Sequence, residues 1–201
     1  MAENIRETAR TLAARFAVLR TRDFERNGVP RRYLTELVET GLWERSGRGL
    51  YQSALISPDP NRTLAEVARQ SPRAVVCLLS ALRFHELTTE TPSEVWIAVS
   101  RDAWTPRMDS VRLKVVRLSV QSFTEGVEEH QIEGVTVRVY SAAKTVADCF
   151  KFRNQIGTSV ALEALRDAWR TRKATADELW RFAKICRVSN VIRPYLEAVV
   201  Q

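Results

Sequence analysis

Apolar residues Ile5, Ala9, Leu12, Ala13 and Phe16 recur at helical spacing, which predicts an amphipathic helix over residues 3–17. A short second helix follows, with Thr21 as its cap and Phe24 turned inward; Asn27-Gly28 ends it in a turn that needs a left-handed residue. Pro30 suits the first turn of a third helix, in which Leu34, Leu37 and Val38 form the buried stripe and Gly41 is the stop. Two short strands, 42–45 and 50–52, flank the turn Ser46-Gly47-Arg48-Gly49.

A Ser-Pro-Asp-Pro run at 57–60 then interrupts all periodicity, so the chain reads as two domains, 1–60 and 61–201. The second opens with helices at 63–70 and 72–87, the latter apolar nearly all round and therefore expected in the core. Strand patterns at 94–100, 111–118, 131–132 and 135–140, the last two a hairpin about Glu133-Gly134, predict a small, mostly antiparallel sheet. Val135, Val137 and Val139 alternate with Thr136, Arg138 and Tyr140, so one face is expected covered and the other wet. The last third is helical. Ser141 caps a helix to about Phe152, another spans 158–170, and Thr175 to Glu178 is a capping box for a third with Leu179, Phe182, Ala183 and Cys186 inside. Pro194 puts the start or a kink of the final helix near it. The fold class is α+β. Helix, helix, turn, helix, hairpin is the order of a winged helix-turn-helix, and a larger mixed α/β domain follows.

Composition narrows the class. With 201 residues, 45% hydrophobic and 27% charged, 7 Gly and 7 Pro, the chain is an ordinary globular one, not disordered or fibrous. Its longest uncharged stretches, such as Ala74 to Leu82, fall far short of the ~20 residues a membrane helix needs. The N-terminus lacks the uninterrupted apolar run of a secretory signal. Cys77, Cys149 and Cys186, odd in number and far apart, suit a reducing cytoplasm. Charge points further: 31 basic against 24 acidic residues leave +7, and only five of the 31 are lysine. Arginine presents a planar fork matched to phosphate and guanine edges.

The third helix and the hairpin after it carry the strongest functional pattern. Opposite the buried stripe lie Arg32, Thr35, Glu36 and Glu39, with Arg31 and Tyr33 flanking the N-terminal end, the end that enters the major groove in such motifs. Arg31 or Arg32 can fork onto guanine, Thr35 can touch a base or phosphate, and Tyr33 can reach a backbone oxygen. Arg45 and Arg48 frame the hairpin tip, where a wing meets phosphates or the minor groove. Against this stand a solvated surface helix, a protein-binding winged helix, and the acidic Glu36 and Glu39.

Enzyme signatures are missing. His85 and His130 are the only histidines, His85 reads as structural, and there is no HExxH, CxxC or GxxxxGK[ST]. No metal, cofactor or catalytic residue is expected. Asp102 with Asp109, and Glu125 with Glu128 and Glu129, read as solvated loop charge rather than a Mg²⁺ site. Cys149 and Cys186 fall at buried positions. In Tyr140-Ser-Ala-Ala-Lys-Thr-Val-Ala-Asp148, Ser141, Lys144, Thr145 and Asp148 occupy the first turns of a helix, where the physical reading is a cap and an i,i+4 ion pair.

These two segments resemble the AbiEi-type antitoxins. Residues 18–51 are similar through Gly28, Leu34, Leu37, Gly41, Leu42, Gly49 and Tyr51. Residues 133–157 are similar through Gly134, Ser141, Lys144, Thr145, Val146 and Asp148, followed by ALEALRDAWR. The resemblance covers nearly the whole chain, and the two motifs in this order are more specific than the first alone. It implies a bicistronic toxin-antitoxin or phage-defence module. The winged helix represses its own operon, the C-terminal domain counteracts a cognate nucleotidyltransferase toxin, and Ser141, Lys144, Thr145 and Asp148 form the antitoxin-domain motif. The expectation is a cytoplasmic, non-enzymatic repressor with no membrane contact, monomeric in solution and pairing on an inverted-repeat operator. The alternatives are a stand-alone transcription factor whose larger domain senses a ligand and a DNA-processing nuclease.

Overall fold

The computed structural model describes residues 2–56 and 59–200. Ser57 and Pro58, half of the expected joint, lie outside the described residues. The chain forms two compact units: Met1–Pro72 with Pro106–Arg112 and His130–Val137, and Arg73–Thr105 with Leu113–Glu129 and Arg138–Gln201.

The first unit opens with α1 (Ala2–Arg15), which buries Ile5, Ala9, Leu12 and Ala13 as its spacing demands. The chain then enters β1 (Val18–Arg20), a strand too short to leave a periodic signal, and turns into α2 (Thr21–Arg26). Arg20, not Thr21, is the residue at the N-cap of α2, and the Asp23 carboxylate accepts its N–H at 3.0 Å. Gly28 at φ +79° makes the turn. Pro30 sits one residue before the expected place, capping a single 3₁₀ turn (Arg31–Tyr33) that runs into α3 (Leu34–Glu39). Leu34 and Leu37 are buried and Val38 half-buried.

The strands β2 (Trp43–Gly47) and β3 (Leu50–Ser53) follow, longer than predicted because a bulge between Arg45 and Gly47 absorbs Ser46 and leaves Arg48-Gly49 as the turn. The antiparallel order β1-β3-β2 completes the winged helix-turn-helix. Trp43 anchors it: its ring meets Phe24 edge-on at 4.8 Å, and its Nε1–H donates to Ala9 O at 3.3 Å. Within the same unit α4 (Arg62–Gln70) holds Arg62 against the Glu133 carboxylate at 3.1 Å.

The expected helix at 72–87 is instead β4 (Val75–Val76) and α5 (Leu78–Phe84). A continuous apolar run does not distinguish buried strand from buried helix. Here the β-branched pair is taken into the sheet, Val75 opposite Ala98 and Val76 between Ile97 and Val139. The further strands are β5 (Val95–Ser100), β6 (Leu113–Leu118), β7 (Val127–Ile132) and β8 (Val135–Tyr140), with α6 (Val120–Thr124) between β6 and β7. The order is β6-β5-β4-β8-β7. β5–β6 and β4–β8 are parallel while β4–β5 is antiparallel, so this sheet is mixed rather than mostly antiparallel.

Val135, Val137 and Val139 are buried as the alternation predicts, but so is Tyr140, whose hydroxyl donates to Phe123 O at 2.9 Å. Helices α7 (Ala142–Lys151), α8 (Arg153–Ile156), α9 (Thr158–Arg170), α10 (Ala176–Cys186) and α11 (Ser189–Val200) build the rest of this core. Ser141 accepts from the Lys144 N–H and the Thr175–Glu178 capping box forms. Pro194 lies in the second turn of α11, leaving the Asn190 carbonyl without its usual donor.

Gly126 is fixed by both conformation and space. Its φ is +74°, and a Cβ there would stand 2.8 Å from Lys144 Cβ and from the Phe182 ring. Gly126→Ala is therefore expected to lose more than the ~1 kcal/mol of a simple glycine exchange, read as a lowered urea midpoint; an unchanged midpoint would contradict this packing.

Candidate nucleic-acid interface

The helix-turn-helix presents Arg31 and Arg32, both exposed, in the 3₁₀ turn that leads α3, with Thr35 exposed one turn on. The Arg32 guanidinium lies 5.2 Å from the centroid of the half-buried Tyr33 ring, which stiffens it. Among the described residues neither Arg31 nor Arg32 enters an ion pair. Glu36 does: Arg6 of α1 grips its carboxylate, with Nε at 2.8 Å and Nη2 closer still. Of the two acidic residues that oppose phosphate binding, one is thus already neutralised from α1, and Glu39 remains exposed.

The two wing arginines differ. Arg48 sits in the turn itself, exposed, next to Gly49 at φ +69°. Arg45 lies lower on β2, opposite Tyr51, and its Nε–H folds back to Gly47 O at 3.3 Å. Arg31, Arg32, Thr35 and Arg48 are exposed side chains of one winged helix, whereas Arg45 is partly engaged by the wing and Tyr33 is partly covered.

Sequence reasoning missed a second basic cluster in this unit. Arg69 of α4 reaches Asp23 of α2 at 3.2 Å, and its guanidinium lies 5.7 Å from the Phe16 ring centroid. Burial lowers the pKa of both Arg20 and Arg69, opposed by the nearby Asp23 carboxylate. Arg20 Nε and Nη2 and Arg69 Nε are buried without a protein partner. Nothing local signals this meeting, because Asp23 and Arg69 are brought together only by α4 packing near β1.

The other predicted set lies in the second unit, with Lys144, Thr145 and Asp148 interior and Ser141 half-buried. Lys144 Nζ pairs with the Asp148 carboxylate, and the two side chains are 0% and 1% exposed. Nζ stands 4.1 Å from the Tyr140 ring centroid, Cys186 Sγ–H donates to Asp148 Oδ1 at 3.1 Å, and Thr145 Oγ1–H donates to Tyr140 O at 3.2 Å. Burial and the Asp148 charge push the Cys186 thiol up to about 12, so it stays protonated as a donor rather than acting as a nucleophile. Cys77 and Cys149 are likewise free, buried and raised by desolvation. His85 Nε2 lies 2.7 Å from Tyr140 O. Glu125 accepts from Arg181 at 2.7 Å. No group of three or more His, Cys, Asp or Glu among the described residues is arranged to hold a metal ion, and no helix is long and apolar enough to cross a membrane.

Residues 7–54, which hold the winged helix, match the family described as a transcriptional regulator, AbiEi antitoxin, the same family that the two sequence motifs resemble. A solved crystal structure, that of the RV2827C protein from Mycobacterium tuberculosis, shares the fold with a TM-score of 0.61 at 14% identity, covering 95% of this chain and 78% of its own. No curated protein matches the chain.

Proposed function

We propose that this chain, with an AbiEi-type winged helix at residues 7–54, is a DNA-binding antitoxin that represses its own operon in the cytoplasm. The observation that carries the reading is the exposure, without an ion-pair partner among the described residues, of Arg31 and Arg32 in the turn that leads the recognition helix and of Arg48 on the wing. Arg31 and Arg32 read or clasp the major groove, Thr35 and Tyr33 contact base or backbone oxygens, and Arg48, with Arg45 behind it, meets the flanking phosphates. Beyond regulation, the larger domain counteracts a nucleotidyltransferase toxin encoded beside it, in a phage-defence module, and Ser141, Lys144, Thr145 and Asp148 hold that domain's shape. The chain contributes no catalysis of its own.

The direct test is fluorescence anisotropy with duplexes from the region upstream of the gene, together with co-expression beside the neighbouring toxin gene. Specific binding and restored growth are expected; binding no tighter than to unrelated duplex would reject the reading. A single recognition helix reads only a few base pairs, so two copies are expected on an inverted repeat with half-sites about one helical turn apart. Sedimentation should report a monomer without DNA and two protomers per operator with it. A stable dimer in the absence of DNA would refute this.

A further inference from the structure

Segment 106–112 belongs to the same compact unit as the wing. It runs so close to it that a Cβ on Gly47 would lie 3.3 Å from Ser110 Oγ. Between them opens a cleft of about 160 Å³ to which Arg48, Gln70, Arg107, Asp109 and Ser110 contribute. None of these five side chains takes part in a hydrogen bond or ion pair among the described residues. Arg48, Arg107, Asp109 and Ser110 are exposed. Two guanidiniums, an amide and a hydroxyl converging on one space without protein partners make a donor-rich recess, and the lone Asp109 carboxylate leaves it net positive. At ~30 Å³ per water the recess has room for about five waters. That is well below the ~300–1,000 Å³ of small-molecule pockets, so it holds a group the size of a phosphate without enclosing a whole nucleotide or metabolite.

We infer that this cleft is a phosphodiester clamp: Arg107, from a loop remote in sequence, and Arg48 of the wing hold one backbone phosphate of the DNA bound by the winged helix. The inference rests on the DNA-binding reading above and deepens it by adding a contact outside the helix-turn-helix. A guanidinium fork matches two phosphate oxygens, and such a contact positions the duplex without reading its sequence. Asp109 opposes the phosphate, which keeps the clamp weak enough to release unrelated DNA. The family match ends at residue 54 and does not reach this loop.

The test uses the full chain, with operator and unrelated duplexes titrated over a range of KCl. Arg107→Ala is expected to weaken both duplexes several-fold alike and to flatten the slope of log K against log salt by about 0.9, the value for one phosphate. Asp109→Asn is expected to tighten both, and Arg107→Lys to keep the slope. A thermal melt of Arg107→Ala should match the parent, since the side chain is exposed. Arg31→Ala/Arg32→Ala serves as reference. If that variant loses operator affinity while Arg107→Ala and Asp109→Asn leave affinity and slope unchanged, the clamp is refuted and the DNA reading stands. If the parent binds no duplex, both fall. If inorganic phosphate broadens its ³¹P resonance with the parent but not with Arg107→Ala, and DNA affinity does not move, the cleft is a free-anion site and the clamp is likewise refuted.

Discussion

Lys144→Met is expected to lower the stability of the chain by about 3–5 kcal/mol, the usual loss when one partner of a buried ion pair is removed. The Lys144 side chain is wholly enclosed, its ammonium paired with Asp148 and facing the Tyr140 ring, while its Cβ packs close to Gly126. Removing it leaves the Asp148 carboxylate with a single thiol donor, Cys186, in a region stripped of water. Domains of ordinary stability hold ~5–15 kcal/mol in all, so this one change should move the urea midpoint far.

The double variant Lys144→Met/Asp148→Leu should recover most of the loss, because neutral groups of similar volume carry no desolvation penalty. A change below about 1 kcal/mol in the single variant would show that the pair is not enclosed as described. Protection against the toxin, measured on the same variants, separates two roles. A double variant that regains stability and protection makes Lys144 and Asp148 structural. One that regains stability but fails to protect assigns the motif a direct part in neutralisation.

Arg31→Ala/Arg32→Ala is expected to abolish preferential operator binding while leaving the fold intact. A guanidinium fork on guanine contributes ~1–3 kcal/mol of discrimination, between about fivefold and about a hundredfold in affinity. Among the described residues neither side chain has an ion pair or side-chain hydrogen bond to lose, and the stacking of Arg32 on Tyr33 is an exposed contact, so thermal stability should stay within ~0.5 kcal/mol of the parent. If the two residues touch phosphates alone, operator and unrelated duplexes weaken equally and the salt slope flattens by about one per contact. Operator affinity equal to the parent's would remove both residues from the interface. Glu36→Gln should have little effect on DNA, since Arg6 already neutralises that carboxylate.

Features written within a few residues of chain were legible from sequence. The α1 stripe, the Ser141 cap, the Thr175–Glu178 capping box, the Gly28 and Gly41 stops and the Glu133-Gly134 hairpin turn each depend on neighbours at most four positions away. Together with the order of elements they were sufficient to predict the winged helix and place Arg31, Arg32 and Arg48 on it. The i,i+4 relation of Lys144 and Asp148 was equally local.

What sequence alone could not carry depends on partners far along the chain. Val18–Arg20 is a strand only because Leu50–Gln52 supplies its ladder, and Val75–Val76 only because β5 and β8 flank it. Two- and three-residue strands have no periodicity of their own. Tyr140 follows the outward alternation of its strand yet is buried, because its side chain is enclosed with Lys144 and Phe123. Arg6 cancels Glu36 across 30 residues, and Arg107 arrives beside Arg48 from another part of the chain. Sequence determined which segments could be helix, turn or wing, since backbone propensity, capping and spacing act locally. Tertiary structure decided which charges remain exposed and which are spent on the protein itself, since an ion pair or a cleft depends on through-space distance.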